Sequence, residues 1–330
     1  MIKAIALISG GLDSILAAKV IAQQGIEVIP LHFRIPFCHR SKGHDRLQAM
    51  VRENLGAELK SVELLEEYLG VIKNPRYGFG ANMNPCIDCK ILMLSKAKAL
   101  MQELGVQFIV TGEVLGQRPM SQHKQALLNI AKRSGLEGLV VRPLSARLLP
   151  ETIPETEGWI KRQALLNFSG RTRNPQIDLA ESLEIKNYAQ PAGGCLLTDP
   201  EFSRRLKELI EHEELTVDGI ELLKVGRHFR IAANTKLVVG RDEEEDNQLV
   251  SLAGSGDYLF MPPLTSGPTS LGRGNFDPEL VNFSCRITCR YCDKAAGNKA
   301  KIAYQRIPDK EEEIAEVLPA DEEELMRVRI

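Results

Sequence analysis

The chain has 330 residues, of which 43% are apolar and 26% charged, an ordinary composition for a soluble globular protein long enough for two domains. It has no apolar run as long as a membrane span and no signal-peptide pattern, so we expect a cytoplasmic protein without a membrane partner. There the seven cysteines should be thiols or metal ligands rather than disulfides. Residues 1–200 carry 24 basic against 19 acidic side chains, and residues 201–330 carry 18 against 25. The basic excess is compatible with a polyanionic substrate, and equally with an ordinary surface.

Strand-like and helix-like patterns alternate through the first half of the chain. This alternation predicts an α/β fold with a doubly wound parallel sheet and right-handed crossovers. Ligands bind at the carboxyl ends of the strands in such folds. The predicted strands are 4–8, 27–33 and 106–111, with a weaker pattern at 59–64, and the predicted helices are 14–23, 44–55, 87–104 and one near 121–134.

The pattern changes near residue 200, after the turn-rich segment 191–194. We expect a catalytic domain over 1–200 and a smaller α+β domain over 201–330. The predicted elements of the second domain are helices 201–212 and 277–293 and strands 228–232, 235–240, 258–261 and 300–306.

A glycine-rich turn, Ser9-Gly10-Gly11-Leu12-Asp13-Ser14, separates the first predicted strand from the first predicted helix. A helix N-terminus after such a turn binds anions, because its first N–H groups are unpaired and the helix dipole favours negative charge. Glycines also let the backbone approach a phosphate closely. The loop lacks the lysine of kinase and GTPase P-loops, which argues against those classes. The plainer alternative is a helix start with an incidental Gly-Gly turn.

The pair Cys86 and Cys89 forms a C-x₂-C motif at the start of a predicted helix. That position suits a redox pair or half of a metal site. Cys195 is a third, distant thiol. Three thiolates leave an open position on zinc, or one open iron on an iron–sulfur cubane. Three buried thiols without chemistry remain the alternative.

Two further groups of ligand-type side chains are Cys285, Cys289 and Cys292, and Cys38, His39 and His44. The first group has a C-x₃-C-x₂-C spacing that radical-SAM enzymes share, but no barrel pattern accompanies it. Its members lie on one face of the predicted helix, so we expect them to be small buried residues. A second metal cluster is the alternative. The second group should belong to a substrate loop, with metal ligation as the alternative.

The glycine-rich turn resembles the pyrophosphate loop of the ATP-dependent adenylating enzymes, the HUP-like PP-loop superfamily that includes tRNA thiolation enzymes. The segment Asn84-Pro85-Cys86 with Cys89 and Lys90 is similar to the N-P-C segment of the tRNA 2-thiouridylases. Thr111 to Gln117, followed by Ser121-Gln122, resembles the T-G-E-x-L-G-Q…S-Q segment of the tRNA 4-thiouridine synthetase family, and Val141 to Leu144 resembles the R-P-L segment of both. The resemblance covers about residues 1–200. The 4-thiouridine family carries an N-terminal RNA-binding extension, whereas this sequence begins at the predicted catalytic strand.

This resemblance implies an ATP-dependent tRNA sulfurtransferase that adenylates a uridine carbonyl and replaces its oxygen with sulfur, giving 4-thiouridine or 2-thiouridine. It implies that Asp13 positions Mg²⁺ or the attacking geometry. It places Gly112 against the nucleotide, with Glu113 and Gln117 near the base or ribose. The residues expected to hold the pyrophosphate of ATP are Ser9, Gly10, Gly11 and Ser14.

The resemblance also implies how sulfur is delivered. Cys86, Cys89 and Cys195 would hold a 4Fe–4S cluster whose open iron carries sulfide. In the rival mechanism Cys195 carries a persulfide, and Cys86 or Cys89 is the resolving thiol. The implied partners are tRNA and a sulfur donor: sulfide, a cysteine desulfurase or a sulfur carrier.

The second domain faintly resembles the RNA-binding domain of NFACT proteins, chiefly in Lys236 to Arg241. A packing or dimerisation domain is the alternative. Two other functions stay open: an adenylating enzyme acting on a small molecule or cofactor by sulfur insertion or amidation, and a nucleotide-binding sensor, which would leave the cysteines unexplained. The basic residues around the predicted strands are Lys224, Arg227, His228, Arg230, Lys236, Arg241 and Arg273.

Overall fold

The computed structural model describes residues 1–37, 44–188, 195–293, 299–309 and 311–330. Backbone contacts divide the chain into two compact units, Met1–Thr198 (the N-terminal unit) and Asp199–Ile330 (the C-terminal unit). Cys38, His39, segment 191–194 and the side chain of His44 lie outside what is described. None of the described helices combines the length and the apolar character needed to cross a membrane.

The N-terminal unit is built on a parallel sheet with the strand order β3-β2-β1-β4-β5. This order confirms the predicted doubly wound α/β fold. Its strands are β1 (Lys3–Leu7), β2 (Glu27–Arg34), β3 (Lys60–Glu63), β4 (Phe108–Thr111) and β5 (Val140–Val141). Its helices are α1 (Leu12–Ala22), α2 (His44–Leu55), α3 (Leu65–Lys73), α4 (Cys86–Glu103), α5 (Lys124–Arg133), α6 (Ile153–Thr156) and α7 (Asn174–Ser182).

Strand β1 is the centre of this sheet and is buried on both faces. Ala4 and Ala6 point into one apolar cluster, and Ile5 between them points into the other. Because side chains alternate along a strand, this arrangement requires helices on both sides of the sheet. The strand order reverses at β1, since β2 pairs with one edge and β4 with the other. The ligand crevice of the fold therefore lies beyond the carboxyl ends of β1 and β4.

The C-terminal unit contains an antiparallel sheet with the order β11-β10-β8-β9-β7-β6, which confirms the predicted α+β class. Phe229, Phe260 and Ile287 are fully buried in its main apolar cluster. Its strands are β6 (Arg227–Ala232), β7 (Thr235–Val239), β8 (Tyr258–Met261), β9 (Ser270–Gly274), β10 (Ala300–Arg306) and β11 (Glu313–Val317). Its helices are α8 (Pro200–Glu211), α9 (Val217–Leu223), α10 (Glu243–Leu252), α11 (Pro278–Arg290) and α12 (Glu322–Val328).

Several elements of the C-terminal unit differ from the sequence prediction. Helix α11 ends at Arg290, so Cys292 lies beyond the helix and not on its face. Helix α10 was not predicted, because its first turn is a run of acidic residues. Asp242 caps that helix by accepting from the Glu245 N–H, and the acidic first turn suits the positive end of the helix dipole. Strand β9 was missed because its sequence, Ser-Leu-Gly-Arg-Gly, has little strand propensity.

Candidate active site

The glycine-rich turn lies directly between β1 and α1, at the crevice of the sheet. Gly10 has a φ of +86°, a conformation that favours glycine. Ser14 Oγ donates to the Gly11 carbonyl oxygen at 2.7 Å and accepts from the Ser9 backbone N–H at 3.3 Å. Gly11 N–H in turn donates to Ser9 Oγ at 3.4 Å. The hydroxyls of Ser9 and Ser14 therefore stabilise the conformation of the turn itself, whether or not a phosphate is bound.

Asp13 connects this turn to the loop after β4. Its Oδ2 accepts from Gln117 Nε2 at 3.0 Å, across the crevice that separates the two strand ends. Its Oδ1 is buried and has no hydrogen-bond partner among the described residues. A buried acceptor without a partner is costly, and a hard cation such as Mg²⁺ is bound through oxygens of this kind. The carboxylate thus fits the Mg²⁺ that the sequence analysis expects.

Gly112 lies against the first turn of α1. A Cβ at this position would be 2.5 Å from the Asp13 carbonyl carbon and 2.5 Å from the Ser14 nitrogen. Both are backbone atoms that cannot move aside without displacing the helix start. The glycine therefore lets the two crevice loops approach each other, and its expected contact with the nucleotide stays a prediction.

Glu113 is the centre of a buried ion network. Its carboxylate pairs with Lys90 and with Arg142, whose Nε lies 2.9 Å away, and accepts from Thr111 Oγ1 at 3.0 Å. Burial alone would raise the pKa of Glu113, but the charges of Lys90 and Arg142 outweigh it and lower the pKa to about 2. Both oxygens therefore have a structural role, and the expected position of Glu113 near the base or ribose stays a prediction.

This network has a consequence for the cysteine helix. Lys90 follows Cys89 on α4, and Arg142 also donates to the Leu127 carbonyl at 3.0 Å. Glu113 thereby ties the loop after β4 to the first turn of α4. Sequence reasoning missed the part played by Lys90, although its place directly after the C-x₂-C motif was a usable signal.

Cys86, Cys89 and Cys195 lie around Tyr68, a side chain on α3 that is only 1% exposed. The pKa of Cys89 is raised to about 12, mainly by burial; a hydrogen bond with Tyr68 opposes this shift, and the nearby Cys195 and Cys86 add to it. Cys86 Sγ donates to the side-chain oxygen of Asn84 at 3.0 Å. The three predicted thiols are thus close enough to influence the pKa of Tyr68, and nothing in the sequence pointed to Tyr68.

The position of Cys195 is fixed by backbone contacts of the segment that it begins. Leu196 N–H donates to the Phe37 carbonyl at 3.4 Å, and Leu197 O accepts from Met83 N–H at 3.2 Å. Asn82 Nδ2 donates to the Thr198 carbonyl at 2.7 Å. These bonds hold the distant third cysteine beside the start of α4.

The donor set suits a thiolate-bound cluster in type and in place. Thiolates are the usual protein ligands of iron–sulfur clusters, and three of them leave one iron open. In the described part of the chain, however, no three His, Cys, Asp or Glu side chains converge in the arrangement of a metal-ion site. The cluster therefore stays a prediction.

Cys285, Cys289 and Cys292 are buried in the apolar cluster of the C-terminal unit. Burial raises the pKa of Cys285 to about 12 and that of Cys292 to about 11. Cys289 Sγ contacts the Val317 carbonyl oxygen at 3.7 Å. Buried thiols of raised pKa are inert packing groups.

Most of the basic residues singled out in the C-terminal unit are paired with carboxylates of the same unit. Glu208 is 2.5 Å from Arg230 Nε and 3.0 Å from Lys236 Nζ, and both cations are largely buried. Such pairs leave little charge for a partner. The same holds for Lys224 with Glu221 at 2.5 Å and for Arg273 with Asp257 at 2.7 Å.

A parallel doubly wound sheet with a glycine-rich turn at its crevice is the arrangement typical of nucleotide-binding α/β domains. Two family models match this chain: residues 2–147 match "Thiamine biosynthesis protein (ThiI)", and residues 226–328 match "NFACT protein RNA binding domain". Two separate segments of the chain are therefore similar to known families, the first to ThiI and the second to a domain described as RNA-binding. Both resemblances noted in the sequence are confirmed.

Curated relatives agree with the first match. The chain is 30% identical over 146 residues to a probable tRNA sulfurtransferase of Thermococcus kodakarensis, covering 43% of this chain and 36% of the relative. It is 26% identical over 221 residues to a tRNA-specific 2-thiouridylase of Thermoanaerobacter sp., covering 62% of this chain and 58% of the relative. The chain therefore spans between about a third and three fifths of the relatives it matches.

A solved complex of a 4-thiouridine synthetase with RNA and bound ATP is also similar, with 20% identity and a TM-score of 0.42. The match covers 67% of this chain and 52% of that one. So distant a likeness carries no argument about function.

Proposed function

We propose that this protein is an ATP-dependent tRNA sulfurtransferase that adenylates a uridine carbonyl and replaces its oxygen with sulfur. The observation that supports this most is the presence in one unit of two adjacent sets of groups. One is the crevice closed by Asp13 and Gln117, and the other is the set of three thiols around Tyr68. Glu113 and Lys90 join the loop of the first set to the helix of the second.

The first half-reaction would take place in the crevice. The uridine carbonyl oxygen attacks the α-phosphorus of ATP, the bond from that phosphorus to its bridging oxygen breaks, and pyrophosphate leaves. The turn from Ser9 to Ser14 would hold the leaving pyrophosphate by its N–H and hydroxyl groups. Asp13 would hold Mg²⁺ through the oxygen that is left unpaired. Charge neutralisation and alignment supply most of the acceleration in such transfers.

The second half-reaction would use the thiols. A sulfur nucleophile attacks the adenylated carbon, the carbon–oxygen bond breaks, and AMP leaves. When bound, a 4Fe–4S cluster would supply sulfide on its open iron. Without it, the outer sulfur of a Cys195 persulfide would attack, which leaves the base joined to Cys195 by an S–S bond. Cys86 or Cys89 would then attack the Cys195 sulfur, break that S–S bond to release the thiolated base, and form a disulfide with Cys195 that a reductant must reopen. The target base must leave its stack to reach such a site.

The experiment measures both half-reactions with the full chain, purified without oxygen. Unthiolated tRNA, ATP, Mg²⁺ and sulfide are supplied, AMP and pyrophosphate are quantified, and nucleosides are identified by mass spectrometry. We expect tRNA-dependent pyrophosphate release and a thiouridine, whose position identifies the isomer. The matched controls are Asp13→Asn, which should be inactive, and Asp178→Asn, an exposed carboxylate that should be fully active. Pyrophosphate release that does not depend on tRNA would instead favour a small-molecule substrate.

A further inference from the structure

An aromatic side chain is exposed on the loop that leads into the cysteine helix. This loop, residues 75–85, joins α3 to α4, and Phe79 near its middle is 41% exposed. Single exposed apolar side chains are common on protein surfaces, so the exposure of Phe79 gains meaning only from its surroundings.

Hydrogen bonds hold this loop in a defined conformation. Asp88, in the first turn of α4, accepts from the backbone N–H of Arg76 at 3.2 Å and from that of Tyr77 at 3.0 Å. The Gly80 N–H donates to the Asn84 carbonyl at 2.8 Å. The exposed aromatic ring is therefore carried by a fixed backbone, and a ligand that contacts it does not have to order the loop.

The same loop contacts both parts of the candidate active site. A Cβ on Gly80 would lie 2.6 Å from Met120 Sδ, so the glycine lets the loop pack closely against the loop after β4. At its other end the side-chain oxygen of Asn84 accepts from Cys86 Sγ at 3.0 Å. A ligand that covers Phe79 would therefore adjoin the crevice loop on one side and the first thiol on the other.

These two loops also carry cations. Arg76 precedes Phe79 by three residues, Arg118 precedes Met120 by two, and both arginines are exposed. Neither guanidinium has an ion pair or a hydrogen bond among the residues that the structure describes. A surface that combines an exposed aromatic ring with free positive charge complements single-stranded RNA, whose bases stack and whose phosphates are negative.

The proposed function supplies RNA as the partner. Its target uridine must leave the stack of bases to react, and unstacked bases are commonly taken up by aromatic side chains. We propose that Phe79 stacks on an unstacked base of the RNA substrate, while Arg76 and Arg118 contact its phosphates. The inference rests on the proposed function for its partner. It adds a base contact in the N-terminal unit, outside residues 226–328, which match the RNA-binding family model.

The test measures binding of a single-stranded RNA 15-mer, and of a duplex of the same sequence, to the full chain from 50 to 300 mM salt without ATP. Phe79→Ala should weaken binding of the single strand about ten-fold, the effect expected for one stacked base. The salt slope should not change, because stacking releases no counterions. Duplex binding should also stay unchanged, since the bases of a duplex are already stacked.

The matched control is Leu148→Ala. Leu148 is an apolar side chain of nearly equal exposure, 40%, in another segment of the same unit. Its removal should alter neither single-strand nor duplex binding. A thermal melt of each variant confirms that it is folded.

Substitutions that keep or remove the ring distinguish stacking from a general apolar contact. Phe79→Trp should bind the single strand at least as well as the wild type, whereas Phe79→Leu should bind as weakly as Phe79→Ala. The chain has one native tryptophan, Trp159, so RNA should quench fluorescence in Phe79→Trp but not in the wild type. Arg76→Gln and Arg118→Gln should each lower the salt slope by about 0.7, the value for one phosphate of a single strand.

Normal single-strand binding by Phe79→Ala or by Phe79→Leu would overturn the proposal, as would an equal loss of duplex binding. Normal RNA binding by Phe79→Ala together with lost sulfur transfer from a protein donor would assign the loop to a protein partner instead. The binding measurements require no turnover, so RNA binding that depends on Phe79 without thiolation would contradict the proposed function alone. RNA binding that does not depend on Phe79 would contradict this inference alone.

Discussion

The side-chain Nε2 of Gln117 donates to Asp13 Oδ2 at 3.0 Å, and this bond joins the loop after β4 to the glycine-rich turn after β1. It fixes the carboxylate so that the other oxygen, Oδ1, stays buried and unpaired. The two segments that resembled tRNA thiolation enzymes separately therefore meet in one crevice. An amide that orients a carboxylate also constrains any cation that the carboxylate holds.

Asp13→Asn should abolish adenylation and leave the fold intact. The amide cannot hold Mg²⁺ as a carboxylate does, so we expect pyrophosphate release to fall by about 100-fold or more. Gln117→Leu should lower it less, by about ten-fold, because Asp13 remains but loses its orienting bond. Pyrophosphate release in the presence of tRNA and ATP is the measurement. Near-normal release by Asp13→Asn would remove this residue from the mechanism.

Gly112→Ala should displace the start of α1. Its Cβ would be 2.5 Å from two backbone atoms of the facing turn, and overpacking of this kind costs about 1–3 kcal/mol of unfolding free energy. The rate of adenylation should fall together with the free energy of unfolding. Gly70→Ala is the matched control: this exposed glycine of α3 has no atom near its Cβ position, so alanine should stabilise the helix slightly. Urea unfolding and pyrophosphate release distinguish the two.

Glu113→Gln should destabilise the protein by about 3–5 kcal/mol, because it leaves Lys90 and Arg142 without their buried counter-charge. The wild-type carboxylate has a pKa of about 2 against an ordinary 4.5, so it stabilises the fold above pH 4.5. That contribution, about 3 kcal/mol, is lost as the pH falls from 4.5 to 2. The free energy of unfolding should therefore fall less between pH 4.5 and pH 2 in Glu113→Gln than in the wild type. Glu58→Gln is the matched control. The Glu58 side chain is 80% exposed and pairs with Arg52, so this variant should lose stability at acidic pH as the wild type does.

Cys86→Ala, Cys89→Ala and Cys195→Ala should each eliminate thiolation and spare tRNA-dependent pyrophosphate release. The reason is that sulfur transfer follows adenylation and uses separate groups. Iron content after anaerobic reconstitution decides between the two sulfur mechanisms. Iron that is present in the wild type and falls in all three variants indicates the cluster, whereas a wild type that binds no iron indicates the Cys195 persulfide.

Joint replacement of Cys285, Cys289 and Cys292 by alanine should leave thiolation unchanged. These thiols are packing groups, so the cost should be lost stability of about 1 kcal/mol for each buried thiol. Activity and a thermal melt are measured side by side. Loss of activity at unchanged stability would falsify the packing interpretation.

The sequence alone determined four of the five strands of the N-terminal sheet, the crevice and the glycine-rich turn, but not the two-residue strand β5. Apolar runs such as Ile5 to Ile8, the glycines of the turn and helical periodicity are local signals, and local signals predict local structure. The spacing of Cys86 and Cys89 was informative for the same reason. In the C-terminal unit β9 and α10 were missed, because their stability comes from sheet pairing and capping rather than from apolar pattern.

Only the tertiary structure decided which polar groups are available for chemistry. Glu113 stands in a motif and looks free in the sequence, yet Lys90 and Arg142 occupy its carboxylate in the fold. Arg230 looks like an RNA contact, but carboxylates neutralise it, whereas Arg76 has no ion pair among the described residues. Whether a charge is paired depends on contacts between residues far apart in the chain, and no periodicity or spacing in the sequence encodes those contacts.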